Sequence, residues 1–315
     1  MTTGATQPGA TPTGATPTQP GAPSDPTSAA GGPDVPPERW REWIGRTERV
    51  EDALALAPAL AAAATLDDEE PPLASGDALP PLWHWFYFLP RAAQRTLGAD
   101  GHPPRGGFLP PVPHPRRMFA GARVRFVRPL RLGRPAVREG TVVDVVSKAG
   151  RSGALAFVTV RHIVTQDGAT CLEEEQDVVY REPGPPVPAP VPAPWAPLPE
   201  GGWSRVVEPD PRLLFRFSAL TFNAHRIHYD RAYAEREEGY PGLVVHGPLT
   251  AMLLLDLARR RTGRPIGAFA FRVQAPLFDL APFRLVARPE GADAVALEAQ
   301  GPDGHVAVAA RATLG

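Results

Sequence analysis

Asn223, His225, His228 and His246 fall within one stretch of this chain, Ser218-Ala-Leu-Thr-Phe-Asn-Ala-His-Arg-Ile-His-Tyr-Asp230 followed by Tyr240-Pro-Gly-Leu-Val-Val-His-Gly-Pro-Leu249, which runs directly into a strongly apolar segment. Proton-exchanging side chains therefore stand beside an apolar wall. That layout suits chemistry on a small organic substrate. Adding water to a double bond conjugated to a carbonyl, or the reverse, needs a group that accepts a proton and a group that fixes the water. It also needs donors where negative charge grows on the carbonyl oxygen. A histidine titrates near working pH, so His228 is the expected acid/base. Gly247 opens the apolar segment, and its backbone N–H would lack a partner within its own helix and be free to bind an anionic oxygen.

The elements that would hold these groups can be read from hydrophobic period. Leu243 to about Arg260 is apolar nearly all round and predicts a long buried helix, with Arg259, Arg260 and Arg261 at its C-terminal end and Gly263 as its stop. Asp230 predicts a cap for a helix from Arg231 to about Glu237. Leu213-Leu-Phe-Arg-Phe217 reads as a short strand, and further strands are expected at 266–273, 283–287, 294–299 and 305–314. In the first half, 50–66 reads as helix, the aromatic Leu79-Pro-Pro-Leu-Trp-His-Trp-Phe-Tyr-Phe-Leu89 as core or pocket wall, and period-two patterns at 122–128, 139–146, 154–164 and 177–180 as strands. A Gly/Pro-rich loop, Gly101 to Arg117, is long enough to carry function.

Each half thus offers a helix and an antiparallel sheet, which predicts an α+β double hotdog: two helices, each wrapped by a sheet. The expected divisions are a disordered tail over 1–37, rich in Thr, Pro, Gly and Ala; a first hotdog with a degenerate site over 38–182; a proline-rich linker over 183–202; and a second hotdog over 203–315 that carries the motif.

Composition narrows the remaining possibilities. The 315 residues have 43% hydrophobic content and a formal net charge of −1, so neither nucleic acid nor an anionic membrane is an expected partner. Cys171 is the single cysteine, which excludes an internal disulfide and a thiolate metal cage. The spacing His225-x-x-His228 would suit two metal ligands, but no further ligand at helical spacing completes a set, so no metal and no cofactor are expected. The chain start has no secretory pattern and no stretch is long and apolar enough to span a bilayer, so a cytoplasmic location is expected.

The residues Thr221-Phe-Asn-Ala-His-Arg-Ile-His-Tyr-Asp230 with Val245-His-Gly247 resemble the hydratase motif of the MaoC-like (R)-specific enoyl-thioester hydratases and type 2 3-hydroxyacyl-thioester dehydratases, a group that includes bacterial mesaconyl-CoA hydratases. Leu79-Pro-Pro-Leu-Trp-His-Trp85, Gly106-Gly-Phe-Leu-Pro-Pro-Val-Pro113 and Arg116-Arg-Met-Phe-Ala-Gly121 resemble that family's first half. The likeness runs from about Trp40 to the C-terminus. It implies a hydro-lyase acting on an acyl thioester of coenzyme A or acyl carrier protein, and a possible homodimer. It places His228 on the family's catalytic histidine and Gly247 on the glycine whose amide binds the thioester oxygen. The family's usual aspartate falls on Asn223, which is not a base at neutral pH but can orient water. The family's later asparagine falls on His225. His246 and Tyr229 flank these positions as candidate substrate contacts.

Two other functions compete. A hotdog thioesterase would want an acid near the start of the buried helix, where Asp256 stands about two turns in. A non-catalytic acyl-thioester binding protein is compatible with Asn223. Arg116, Arg117 and Arg264 are candidates for meeting the phosphates of a coenzyme A carrier. His84, His114 and His162 read as structural.

Overall fold

The structure, a computed structural model, describes residues 1, 35–68, 74–150 and 153–315. Apart from Met1 and residues 35–37, the expected disordered tail lies outside the described residues. In chain order the elements are β1 (Thr47–Asp52), α1 (Leu56–Leu66), β2 (Arg116–Phe126), β3 (Ala136–Gly150), β4 (Gly153–Gln166), β5 (Ala169–Arg181), β6 (Trp203–Val207), α2 (Pro211–Leu220), α3 (Arg231–Arg236), α4 (Gly247–Thr262), β7 (Ile266–Val273), β8 (Phe283–Pro289), β9 (Ala294–Gln300) and β10 (Val306–Leu314). These strands form one 10-stranded sheet in the order β1-β3-β4-β5-β2-β7-β10-β9-β8-β6, with every pairing antiparallel.

That order has an internal symmetry. A half-turn about the β2/β7 seam carries β1, β3, β4, β5 and β2 onto β6, β8, β9, β10 and β7, so the chain is two hotdog units sharing a sheet. The seam is the run Gly121↔Arg272 to Arg125↔Ala268. One hydrophobic core spans both units, with α1 residues Ala59 and Ala62, α4 residues Leu249, Leu254 and Leu257, and strand residues such as Val124, Phe269 and Leu285 all buried in it. The helices are unequal: α1 has 11 residues and α4 has 16. At 1.5 Å per residue α4 is about 24 Å long, enough to cross the sheet that wraps it.

Helix limits follow from local chemistry. α4 starts at Gly247 rather than near Leu243, because residues 243–245 are extended: Val245 N–H donates to the Leu277 carbonyl (2.8 Å) and Leu243 N–H to Asp279 Oδ1 (2.9 Å). Pro248 then sits in the first turn, where a missing N–H costs nothing. Arg259, Arg260 and Arg261 occupy the last turn and Gly263, at φ +63°, closes it. Similarly, residues 47–52 are strand, and helix α1 begins only at Leu56, with Pro58 in its first turn.

The segment expected as a strand, Leu213 to Phe217, is helical. Asp210 Oδ1 accepts the Leu213 N–H (2.9 Å), Pro211 occupies the first turn, and Leu214, Phe217 and Ser218 form the buried face. The i, i+3, i+4 spacing of that face and the Asp-Pro start are helix signals that outweigh a short aromatic alternation. The motif therefore follows a helix, not a strand. The aromatic stretch is core rather than pocket wall: Trp83 is 5% and Phe86 1% exposed, and Phe86 meets Phe217 edge-on at 5.7 Å, tying the first unit to α2. The segment 183–202 contains no helix or strand and lies along the second unit, where Val187 N–H donates to Gly239 and Trp195 Nε1–H to Gly301. Among the described residues, no helix is long and apolar enough to cross a membrane.

Candidate active site

The motif is positioned by two turns and a cap. Thr221 ends α2 with its hydroxyl donating to the Phe217 carbonyl (2.8 Å), and Phe222 turns the chain at φ +49°. The Asn223 side-chain oxygen then accepts the His225 backbone N–H at 3.0 Å. Residues 226–228 make one 3-10 turn, after which Asp230 caps α3 by accepting the Tyr233 N–H (3.1 Å). This tight sequence of turns aims His225 and His228 the same way, toward the start of α4.

There the histidines gather. His228 and His246 stack with ring centroids 3.7 Å apart, and His225 meets His228 edge-on at 5.5 Å. His228 Nδ1 lies 2.7 Å from the Val244 carbonyl. A carbonyl only accepts, so Nδ1 carries the hydrogen and the lone pair of the neutral ring sits on Nε2. His246 Nε2 is 2.8 Å from the Ser218 hydroxyl. All three rings are held neutral. Burial pushes His228 down to about 4 and His225 to about 2, with His102 and His228 adding to the latter shift. His246 is lowered well below its ordinary value by burial, then by its two neighbours.

Beside these rings lies a cavity of about 880 Å³, lined among others by Asn223, His225, His228, His246, Gly247 and Tyr229. The structure thus brings together all six expected site residues. They are not equivalent. His228 is 8% and His246 2% exposed, whereas Tyr229 is 44% exposed and its hydroxyl donates to the Ala224 carbonyl (3.0 Å). Gly247 is the first residue of α4, so its N–H has no acceptor in the preceding turn. A Cβ there would come within 3.0 Å of Val273 Cγ2, so a larger residue would crowd the wall of the cavity. A neutral imidazole and an open helix-start amide thus face one cavity.

The arginines separate into two groups. Arg116 is buried and ion-paired to Glu238 (3.2 Å), and Arg264 is held by Asp293 (3.0 Å) and the Gly315 carbonyl. Neither is free for a ligand. Arg117 and Arg181 line the cavity, and neither forms an ion pair with a described residue. Asp256, the acid weighed for hydrolysis, is held by Arg205, Arg259 and Arg260 at 2.9–3.2 Å just past the middle of α4. Among the described residues no three His, Cys, Asp or Glu side chains are grouped to hold a metal ion.

Sequence reasoning missed two members of the site. His102 lies 4.1 Å, centroid to centroid, from His225 and lines the cavity, and Asp100 Oδ2 is 2.9 Å from His102 Nδ1. Their loop was singled out for its Gly and Pro content, but nothing in the local pattern says which distant segment it meets.

Residues 82–279 match the family described as hydroxyacyl-thioester dehydratase type 2. The chain belongs to this family. It is 65% identical over 276 residues to the mesaconyl-C(4)-CoA hydratase of Chloroflexus aurantiacus, covering 88% of this chain and 98% of that one. It is 28% identical over 234 residues to the mitochondrial hydroxyacyl-thioester dehydratase type 2 of Schizosaccharomyces pombe, covering 66% and 77%. In fold it is similar to a Mycobacterium tuberculosis protein with a double hotdog fold, at a TM-score of 0.53 and 16% identity over 86% of this chain and 96% of that one. This family member is accordingly a carbon–oxygen lyase that adds or removes water across the α,β-bond of an acyl thioester.

Proposed function

We propose that this lyase hydrates a branched, dicarboxylic enoyl-CoA of the mesaconyl-C4 type, with His228 as proton carrier and the Gly247 amide as the donor to the thioester oxygen. The observation that carries the reading is that the His228 ring and the Gly247 N-terminus of α4 line one cavity. In the hydration direction, His228 Nε2 takes a proton from water while the water oxygen bonds to the β-carbon. The double-bond pair moves toward the α-carbon and the thioester oxygen, where the Gly247 N–H meets the growing charge. The imidazolium then returns its proton to the α-carbon. A ring that is hard to protonate at rest gives up that proton readily. Asn223 cannot serve as the base, and its oxygen is already engaged by the His225 N–H.

Arg117 and Arg181 support the acyl and carrier assignment. A cationic side chain on a partly enclosed cavity favours an anion, and such a substrate offers two: the free carboxylate of the acyl group and the phosphates of coenzyme A. Hydrolysis is disfavoured because Asp256 is committed to three arginines away from the cavity.

The test is to incubate the protein with mesaconyl-C4-CoA and with crotonyl-CoA, following the conjugated chromophore and free thiol together. Loss of the chromophore without thiol release, faster on the dicarboxylic substrate, is expected. Thiol release would make the protein a thioesterase, and no change on either compound would reduce it to a binding protein.

A further inference from the structure

With His228 taking one hydrogen of the attacking water, the second is left to another acceptor on the cavity, because Asn223 stands where a carboxylate would and its oxygen already accepts the His225 N–H. The first unit supplies a candidate. Residues 98–102 form a closed turn, in which Gly98 N–H donates to the His102 carbonyl (2.8 Å), Gly101 N–H to the Gly98 carbonyl (2.9 Å) and His102 N–H to Asp100 Oδ1 (2.9 Å). The turn docks on the motif: Arg226 N–H donates to the Asp100 carbonyl (2.9 Å) and Arg226 Nη1 to the Ala99 carbonyl (3.0 Å). Gly101, at φ +90°, makes this contact possible, because a Cβ there would stand 1.8 Å from the Ala224 carbonyl oxygen. The closeness of fit argues that the turn is placed against the motif rather than resting near it.

The docking sets an aspartate–histidine pair on the cavity. Asp100 accepts the Nδ1 hydrogen of His102, which fixes the tautomer and leaves the Nε2 lone pair without a partner among the described residues. The two side chains are 21% and 19% exposed, so the pair is sheltered but not sealed. Around His102 stand Asp100, His225, Arg117 and Arg105. Asp100 is the one anion among them.

We propose that His102, held by Asp100, is a second catalytic residue of the hydration reaction: its Nε2 accepts the hydrogen of the attacking water that His228 does not take. The proposal rests on the reading of His228 as proton carrier. His228 removes one proton as the carbon–oxygen bond forms and returns it to the α-carbon; the hydrogen held by His102 stays on oxygen and becomes the hydroxyl of the product. No proton is gained or lost. In dehydration the same contact holds the departing hydroxyl. Asp100 is a positioning residue, acting through the Nδ1 hydrogen bond.

The experiment uses the full chain and compares His102→Gln, His102→Ala, Asp100→Asn and His228→Ala in the hydration assay, each checked by thermal melting. His102→Gln is expected to lower kcat about 10²-fold with KM changed by less than about threefold. Added imidazole restores part of the activity of His102→Ala. Asp100→Asn moves the acid limb of the kcat profile to lower pH, because the carboxylate that raises the proton affinity of His102 is gone and the neutral ring persists further into acid. A merely structural role would move neither the rescue nor the pH limb. Retention of kcat within about threefold in His102→Gln overturns the proposal, as does an unchanged acid limb in Asp100→Asn; the latter arm decides if the His102 variants fail to fold. If His228→Ala is inactive while His102→Gln is fully active, this proposal falls and the hydratase reading stands. If both remain active, both fall.

Discussion

The two hotdog units share a strand order but give two of their buried histidines different partners, His84 a carboxylate and His228 a carbonyl. In the first unit His84 Nε2 and Trp85 Nε1 both hold the carboxylate of Glu174, at 3.1 and 2.8 Å, with the His84 and Glu174 side chains 3% and 1% exposed. Burial would raise Glu174, but His84, with help from His162 and Gln176, outweighs it and the carboxylate is held down at about 2. In the second unit His228 faces a carbonyl and His246 a hydroxyl, so burial meets no counter-charge and both rings stay neutral. Glu174 accepts from His84 and Trp85 inside the packed first unit, whereas His228 and His246 stand on the cavity with neutral partners. The helix starts differ as well. Ala55, at the N-cap of α1, has its carbonyl taken by the Tyr87 hydroxyl (2.7 Å) and Leu54 beside it is fully buried, whereas α4 opens with Gly247 onto the cavity. The motif histidines and the open helix start come from the second unit, while the first adds His102, Arg117 and Arg181 to the cavity wall.

The sharpest way to break this comparison is to remove one histidine contact from each unit. His228→Ala is expected to lower kcat about 10²–10⁴-fold with the fold intact, as read by chromophore loss and circular dichroism. Glu174→Gln is expected to leave kcat within a few-fold yet to destabilise the protein by about 1–3 kcal/mol in urea titration, because His84 and Trp85 lose the buried carboxylate they share. The reverse pattern would mean that the two units have been assigned the wrong roles.

A smaller effect concerns acid. His228 is near 4 in the folded chain against 6.5 in a free histidine, so its neutrality contributes stability that is fully present above about pH 6.5 and is lost as pH falls toward 4. Glu174, near 2 against 4.5, contributes stability present above about pH 4.5 and lost between 4.5 and 2. Unfolding free energy measured from pH 7 to 5 is thus expected to fall less steeply in His228→Gln than in the parent, by on the order of 2 kcal/mol across the window. Equal slopes in His228→Gln and the parent would show that burial does not lower the proton affinity of His228. The smallest expected effect is that of Tyr229→Phe. Its hydroxyl serves a local carbonyl at the cavity edge, so activity should stay within about twofold and stability within about 1 kcal/mol. A tenfold loss of kcat would move Tyr229 into the site.

Much of this was legible in the chain because the deciding signals are local. The run Asn223-Ala-His-Arg-Ile-His-Tyr-Asp230 with Val245-His-Gly247 carries its residue types and spacing in sequence. The mostly apolar run from Leu249 to Leu257 reads as a buried helix, and the strands of the second unit alternate or run apolar as half-buried and buried strands do. Leu213 to Phe217 misled because five residues are too few to separate a period of two from one of 3.6 when the cap, Asp210, stands outside the window.

What the sequence by itself determined was therefore the long buried helix and most of the strands, the double hotdog class, the family and the identity of the motif histidines. Tertiary structure alone decided that Arg116 and Arg264 are occupied while Arg117 and Arg181 are not, that the aromatic stretch is core, and that Asp100 and His102 stand beside His225. The physical reason is range. Helix periods, caps and motif spacing are set by neighbours within a turn or two. A hydrogen bond from Arg226 to Asp100 joins residues 126 positions apart, set by the docking of one unit on the other.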